Sequence, residues 1–272
     1  MPSGKNSVIK QFLTFQNLLI MLLGGIGAVS IYLVSATKIT TLGFPLDDAW
    51  IHQVYARNLA TLVEWSYRPG ITSAGSTAPG WTGLLSISYL FSSKPAIFWS
   101  YFLGTIFLLV LAGCGYWIIQ NEIQEQKRKY SFILLIFLLE WHLVWAAVSG
   151  METILAAAII MLFFALLKSP LKHPFCTGFI SAVGIWARPD LITLAGPLIF
   201  VILTEINGNS FQKKILPTVL GFSLPISLYL LFNYLTAGTP WPNTFYAKQA
   251  EYALLLEQPL VTRFSSLAII PL

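Results

Sequence analysis

Long uncharged apolar runs dominate the pattern of the chain. No Asp, Glu, Lys or Arg occurs between Lys10 and Lys38, or between Lys94 and Glu122. Each run exceeds the roughly 20 apolar residues that cross a 30 Å hydrocarbon core at 1.5 Å rise per residue. Dividing the pattern at charged and Gly/Pro-rich breaks predicts seven spans, at about 14–36, 96–119, 131–148, 152–168, 175–188, 191–204 and 215–235. The expected fold is an all-α polytopic membrane bundle forming a single domain over residues 1–272.

The first outer loop, residues 37–95, carries two further patterned segments. Ser76 to Phe91 is apolar enough to pass for a span, but counting it as one would invert every later loop. It is read instead as a helix lying in the membrane interface. Asp47 to Trp65 mixes Trp50, Ile51, Val54, Tyr55, Leu59 and Leu62 with His52, Arg57, Asn58 and Glu64, which suits a second interfacial helix.

Charge sets the orientation. With the N-terminus inside, the cytoplasmic pieces hold Lys5 and Lys10, then Lys127, Arg128 and Lys129, then Lys168 and Lys172, then Lys213 and Lys214. Every inside loop is then basic, as the positive-inside rule requires. Composition agrees with a membrane protein: 56% hydrophobic and 10% charged residues, with a mean hydropathy of +0.71. The net charge of +5 is scattered among short loops, which argues against nucleic acid as a partner. Lys5 and Lys10 precede an apolar stretch ending Val34-Ser35-Ala36, but that stretch is too long for a signal peptide and reads as an uncleaved first helix. The expected location is the plasma membrane, with several passes.

On this scheme four polar constellations share the extracytoplasmic side. They are Pro45-Leu46-Asp47-Asp48 with His52 and Arg57; Ser149-Gly150-Met151-Glu152; Arg188-Pro189-Asp190; and Gly238 to Lys248, which includes Asn243 and Tyr246. One of the adjacent carboxylates Asp47 and Asp48 can act as general base on an acceptor hydroxyl, and the pair can hold a divalent cation through oxygen. An N-cap role explains Asp47 but leaves Asp48 without a task. His52, one turn after Asp48, can ligate, donate a hydrogen bond or simply sit at a wet interface. Glu152 reads either as a site residue or as half of a Ser149-x-x-Glu152 capping box. Asp190 complements a helix dipole just after Pro189. Arg188 near the bilayer needs an anionic partner, and a phosphate or Asp190 would each serve. Lys248, in a rigid Pro- and aromatic-rich loop, is an anion-binding group or an interfacial anchor.

Other features carry less chemistry. Glu140 and His142 fall within the third span, about 9–12 Å below its outer end, and either satisfy each other or line a cavity. Trp65, Trp81, Trp99 and Trp241 read as belt residues. Cys114 and Cys176 read as buried structural thiols. The chain contains no Gly-rich phosphate loop, zinc-type spacing or Gly-x-Ser-x-Gly elbow.

Five stretches carry a resemblance: Pro45-Leu-Asp-Asp-Ala-Trp-Ile-His with Tyr55-Ala-Arg-Asn-Leu-Ala, Ser73 to Trp81, Ser149-Gly-Met-Glu-Thr, Ala187-Arg-Pro-Asp, and Pro242-Asn-Thr-Phe-Tyr-Ala-Lys248. In this order the chain resembles polyprenyl-phosphate-sugar-dependent glycosyltransferases of the GT-C superfamily. The branch with the mycobacterial terminal arabinofuranosyltransferase and the bacterial and protein mannosyltransferase-like enzymes is the most similar. The resemblance implies a core of about seven helices with two juxtamembrane helices in the first outer loop. It implies that Asp47 or Asp48 deprotonates the acceptor, while Arg57, Arg188 or Lys248 neutralises the lipid phosphate leaving group. His52, Glu152, Asp190, Asn243 and Tyr246 complete the substrate-binding set. Such enzymes are usually longer, so a compact homologue, a C-terminally truncated chain or a catalytic half is expected.

The function expected is transfer of a sugar from a polyprenyl-phosphate donor to an extracytoplasmic glycan, lipid or protein. A non-catalytic membrane subunit or lipid-linked-sugar carrier is the alternative.

Overall fold

The computed structural model describes residues 15–122, 131–167, 172–204 and 211–269. Lys5, Lys10, Lys127, Arg128, Lys129 and Lys168, on which most of the inside charge depends, lie outside the described residues. The described chain is all-α apart from one small hairpin. Its helices are α1 (Phe15–Thr37), α2 (Asp47–Leu62), α3 (Pro79–Tyr89), α4 (Ile97–Glu122), α5 (Phe132–Leu139), α6 (Trp141–Val148), α7 (Thr153–Leu167), α8 (Pro174–Ala187), α9 (Ala195–Thr204), α10 (Leu216–Ala237), α11 (Asn243–Leu256) and α12 (Leu260–Ile269). Strands β1 (Ser66–Arg68) and β2 (Ile71–Thr72) pair antiparallel between α2 and α3.

Among the described residues three helices are long and apolar enough to cross a membrane: Phe15–Thr37, Ile97–Gln120 and Gln212–Ala237. By length and composition this makes a multi-pass membrane protein. Along α1 the large apolar side chains, Leu23 and Ile31 among them, are exposed and suit a hydrocarbon surround.

The expectation of seven spans is corrected to these three, and local chemistry explains why. The 131–148 segment divides at Glu140, whose extended backbone ends α5 and whose carboxylate accepts from the Leu143 amide at 2.8 Å as the N-cap of α6. Glu140 and His142 pair with each other at 2.6 Å on an exposed surface. The apolar stretches near 152–168, 175–188 and 191–204 form shorter helices: Thr153–Leu167, Pro174–Ala187 and Pro189–Thr204. The last of these opens with a 3-10 turn, Pro189–Leu194, where Pro189 removes a backbone donor.

Close backbone contacts build the bundle. A Cβ on Gly178 would fall on the Thr218 carbonyl and one on Gly221 on the Phe175 carbonyl, so α8 and α10 cross where only glycine fits. Higher up, the Trp186 indole donates to the Pro225 carbonyl at 3.0 Å. Gly104 lets α4 approach the Ala147 carbonyl of α6 in the same way.

Helices α2 and α3 pack together at one end of the bundle. Buried Gln53 ties them to α4: its Nε2 donates to Ser100 Oγ at 3.0 Å, and its Oε1 accepts from the Tyr89 hydroxyl at 2.7 Å and the Ala96 amide at 3.0 Å. Trp81 is not a belt residue; it is 1% exposed and donates to the Gly150 carbonyl at 2.9 Å. Trp65 is buried too. Of the two cysteines, Cys114 is half-buried and Cys176 is exposed, which corrects the expectation of two buried thiols. At the opposite end Asn17 donates to the Tyr116 hydroxyl at 3.2 Å and accepts from Ser131 at 2.8 Å, joining α1 to α4 and the start of α5.

Candidate functional site

Three turns far apart in sequence meet where α2 and α3 cover the bundle. Gly150, with φ of +79°, turns the chain between α6 and α7 and packs against the Phe44 ring. The capping box does not form there. Ser149 Oγ donates back to the Ala146 carbonyl at 2.9 Å, and Glu152, just before α7, turns its side chain inward. Asp47 does not occupy the cap position of α2 either. That position falls to Leu46, while Asp47 Oδ1 accepts from the Asp48 amide at 3.0 Å.

Glu152 is 4% exposed and joins two partners. Its Oε2 lies 3.2 Å from His52 Nε2, and its Oε1 accepts from an Arg188 terminal nitrogen at 3.4 Å. His52, 3% exposed, sets its Nδ1 3.1 Å from Ser76 Oγ and 3.2 Å from Thr82 Oγ1, and those hydroxyls are 2.9 Å apart. Arg188 donates through Nε and its other terminal nitrogen to Asp190, each at 3.1 Å.

The result is one polar chain, Ser76/Thr82 to His52 to Glu152 to Arg188 to Asp190. Burial pushes the Glu152 carboxyl upward, but the His52 hydrogen bond and charge, its own backbone amide and Arg188 outweigh that and hold it below the usual carboxylate value. Arg188 is raised, chiefly by its hydrogen bond to Asp190.

A cavity of about 410 Å³ opens on this chain. Glu152, Arg188 and Asp190 line it with Thr77 and Ile192, and the far wall comes from Trp241, Pro242, Thr244, Phe245 and Lys248. Lys248 is not in a rigid loop as expected; it lies in the second turn of α11, and Thr244, Phe245 and Lys248 share one helical face.

No family model, curated protein or solved structure matches this chain. The functional reading therefore rests on the residues themselves.

Of the residues singled out from sequence, the structure brings Glu152, Arg188, Asp190 and Lys248 to the cavity, with His52 directly behind Glu152. Asp47 and Asp48 stand exposed at the start of α2, outside the lining, with Asp48 one turn before His52 on the same helix face. Arg57 is exposed and bonds Asn58 Oδ1 at 3.3 Å, away from the cavity. Asn243 and Tyr246 lie on α11 but off its cavity-facing side. Among the described residues no group of three or more His, Cys, Asp or Glu side chains is placed to hold a metal ion.

The sequence reading missed Thr82 as a partner of His52, and Thr244 and Phe245 as cavity wall. Hydroxyls within the otherwise apolar 76–91 segment were the available signal, since a buried hydroxyl needs a partner.

Proposed function

We propose that the chain is a membrane glycosyltransferase that moves a sugar from a polyprenyl-phosphate donor to an extracytoplasmic acceptor. The observation that carries this reading is the cavity, where the carboxylates Glu152 and Asp190 stand with the cations Arg188 and Lys248 against the aromatic wall of Trp241 and Phe245. A phosphate leaving group calls for cations and a sugar for hydrogen-bonding and aromatic surfaces, and a half-open site at the end of apolar helices suits a ligand carried on a lipid.

In this reading the bundle has a GT-C-like arrangement, with α2 and α3 as juxtamembrane helices on the outer face of the plasma membrane and the N-terminus in the cytoplasm. An acceptor hydroxyl approaches the exposed start of α2, where Asp47 or Asp48 takes its proton. The acceptor oxygen bonds to the anomeric carbon as the bond from that carbon to the phosphate oxygen breaks. Lys248, with Arg188 behind it, faces the charge that the leaving phosphate gains.

The test is donor turnover by the purified chain in lipid, offering polyprenyl-phosphate mannose, arabinose and glucose with mixed acceptors. Loss of the base predicts that the Asp47→Asn/Asp48→Asn double variant falls by about 100-fold or more, within the usual range for general base catalysis, while inserting normally. A fully active double variant would sink the assignment of the base. One observation favours a second reading, a non-catalytic subunit that binds the lipid-linked sugar: neither Asp of the pair lines the cavity. That reading predicts donor binding without turnover in both proteins.

A further inference from the structure

Glu152 is buried and held from two sides, by His52 and by Arg188, and the manner of its holding narrows what can bind. The charged and titratable groups facing it come from three elements: His52 from α2, Arg188 and Asp190 from the turn after α8, and Lys248 from α11. His52 Nε2 faces a carboxylate, which only accepts, so Nε2 donates, while Nδ1 is engaged by the Ser76 and Thr82 hydroxyls. With both nitrogens engaged and the ring buried, His52 does not reach a ligand.

An ionised carboxylate offers about four acceptor positions. His52 and Arg188 occupy two of them, so Glu152 lines the cavity with acceptor capacity left. Arg188 is occupied by Asp190 and Glu152. Lys248 lines the cavity without an ion-pair partner among the described residues.

A bare anion would gain from Lys248 but be repelled by a fixed carboxylate beside it. A ligand that pairs a phosphate with O–H donors satisfies both. Resting on the donor reading above, we propose that this cavity is the subsite for the sugar phosphate portion of the donor. Glu152 accepts a hydrogen bond from a sugar hydroxyl, Lys248 meets the phosphate, and His52 is a positioning residue that fixes Glu152 from behind.

The test uses soluble probes, glucose 1-phosphate, mannose 1-phosphate and inorganic phosphate, titrated against the full chain in lipid nanodiscs and followed by ligand-detected NMR. The wild type is expected to bind at least one sugar 1-phosphate about tenfold tighter than inorganic phosphate, the scale of one charge-assisted hydrogen bond. Glu152→Gln should erase that preference while leaving affinity for inorganic phosphate within about twofold, and Lys248→Gln should weaken both ligands. His52→Gln, which keeps an N–H near the Nε2 position, should stay within about threefold of wild type, whereas His52→Leu should behave like Glu152→Gln. Glu152→Asp, which keeps the charge but withdraws it, should fall between.

No preference in the wild type, or a preference that survives Glu152→Gln, overturns the subsite. A preference that survives His52→Leu overturns the positioning role. Loss of both ligands together in Glu152→Gln and Glu152→Asp, in chains that remain folded at the assay temperature, also overturns the assignment. Selective binding without turnover leaves the subsite standing and removes the transferase reading; turnover that ignores Glu152→Gln does the reverse.

Discussion

Burial and pairing act on Glu152 in opposite directions, and pairing wins. Its folded value is the lower one, so the pair stabilises the protein above the ordinary value of 4.5, and that contribution is lost as pH falls through the folded value. Glu152→Gln is therefore expected to lower stability by about 1–3 kcal/mol at neutral pH, the cost of losing a hydrogen-bonded charge from a buried site. Melting temperatures recorded from pH 7 downward check this: the gap between wild type and variant should narrow only below about 4.5. A gap that is flat with pH would mean that the charge of Glu152 contributes nothing. Sequence alone left Glu152 divided between a cap and a site residue, because Ser149-x-x-Glu152 spells both. Gly150 decided between them: its positive φ swings the chain so that Ser149 finishes α6 and the glutamate side chain is released toward His52.

Among the elements, α2 and α3 were legible from pattern. Segments expected over Asp47–Trp65 and Ser76–Phe91 fold as Asp47–Leu62 and Pro79–Tyr89. The hairpin between them was not foreseen, since five strand residues carry too little alternation to register. Span lengths were misjudged where one polar group outcompetes an apolar run. The Glu140 carboxylate captures an amide and restarts the helix, which an average over its apolar neighbours conceals. The α8–α10 crossing is a property of the pair of helices. Gly178→Val would drive two methyl groups against the Thr218 backbone and is expected to destabilise the protein by about 1–3 kcal/mol, whereas Gly196→Ala, which meets nothing within 4 Å, should be neutral. Thermal unfolding of the two variants in detergent checks the contrast, and equal melting temperatures would refute the tight crossing.

For the molecule as a whole, charge in the loops suggested which constellations share a side, and the structure gathers His52, Glu152, Arg188, Asp190 and Lys248 at one end. That pattern rested on the alternation of seven spans, of which three are long enough to cross among the described residues. It could not reach which residues line the cavity, because that depends on the rotation of each helix about its axis. Placement of that end outside the cell is checked with Ser93→Cys and Lys213→Cys, both exposed positions, in a background where Cys114 and Cys176 are replaced by Ala. An impermeant thiol reagent should label position 93 in intact cells and position 213 only after permeabilisation; the opposite pattern would invert the molecule.

The cavity wall formed by Trp241 to Lys248 follows Gly238, whose φ of +70° ends α10, and from Phe245 to Ala253 every residue of α11 is exposed. One side of the cavity is thus cast by the packed bundle, and the other by a helix that is mostly exposed. Related chains could change what they accept by exchanging this short segment alone, and a chimera with a foreign segment after Gly238 should keep its melting temperature while changing its ligand preference.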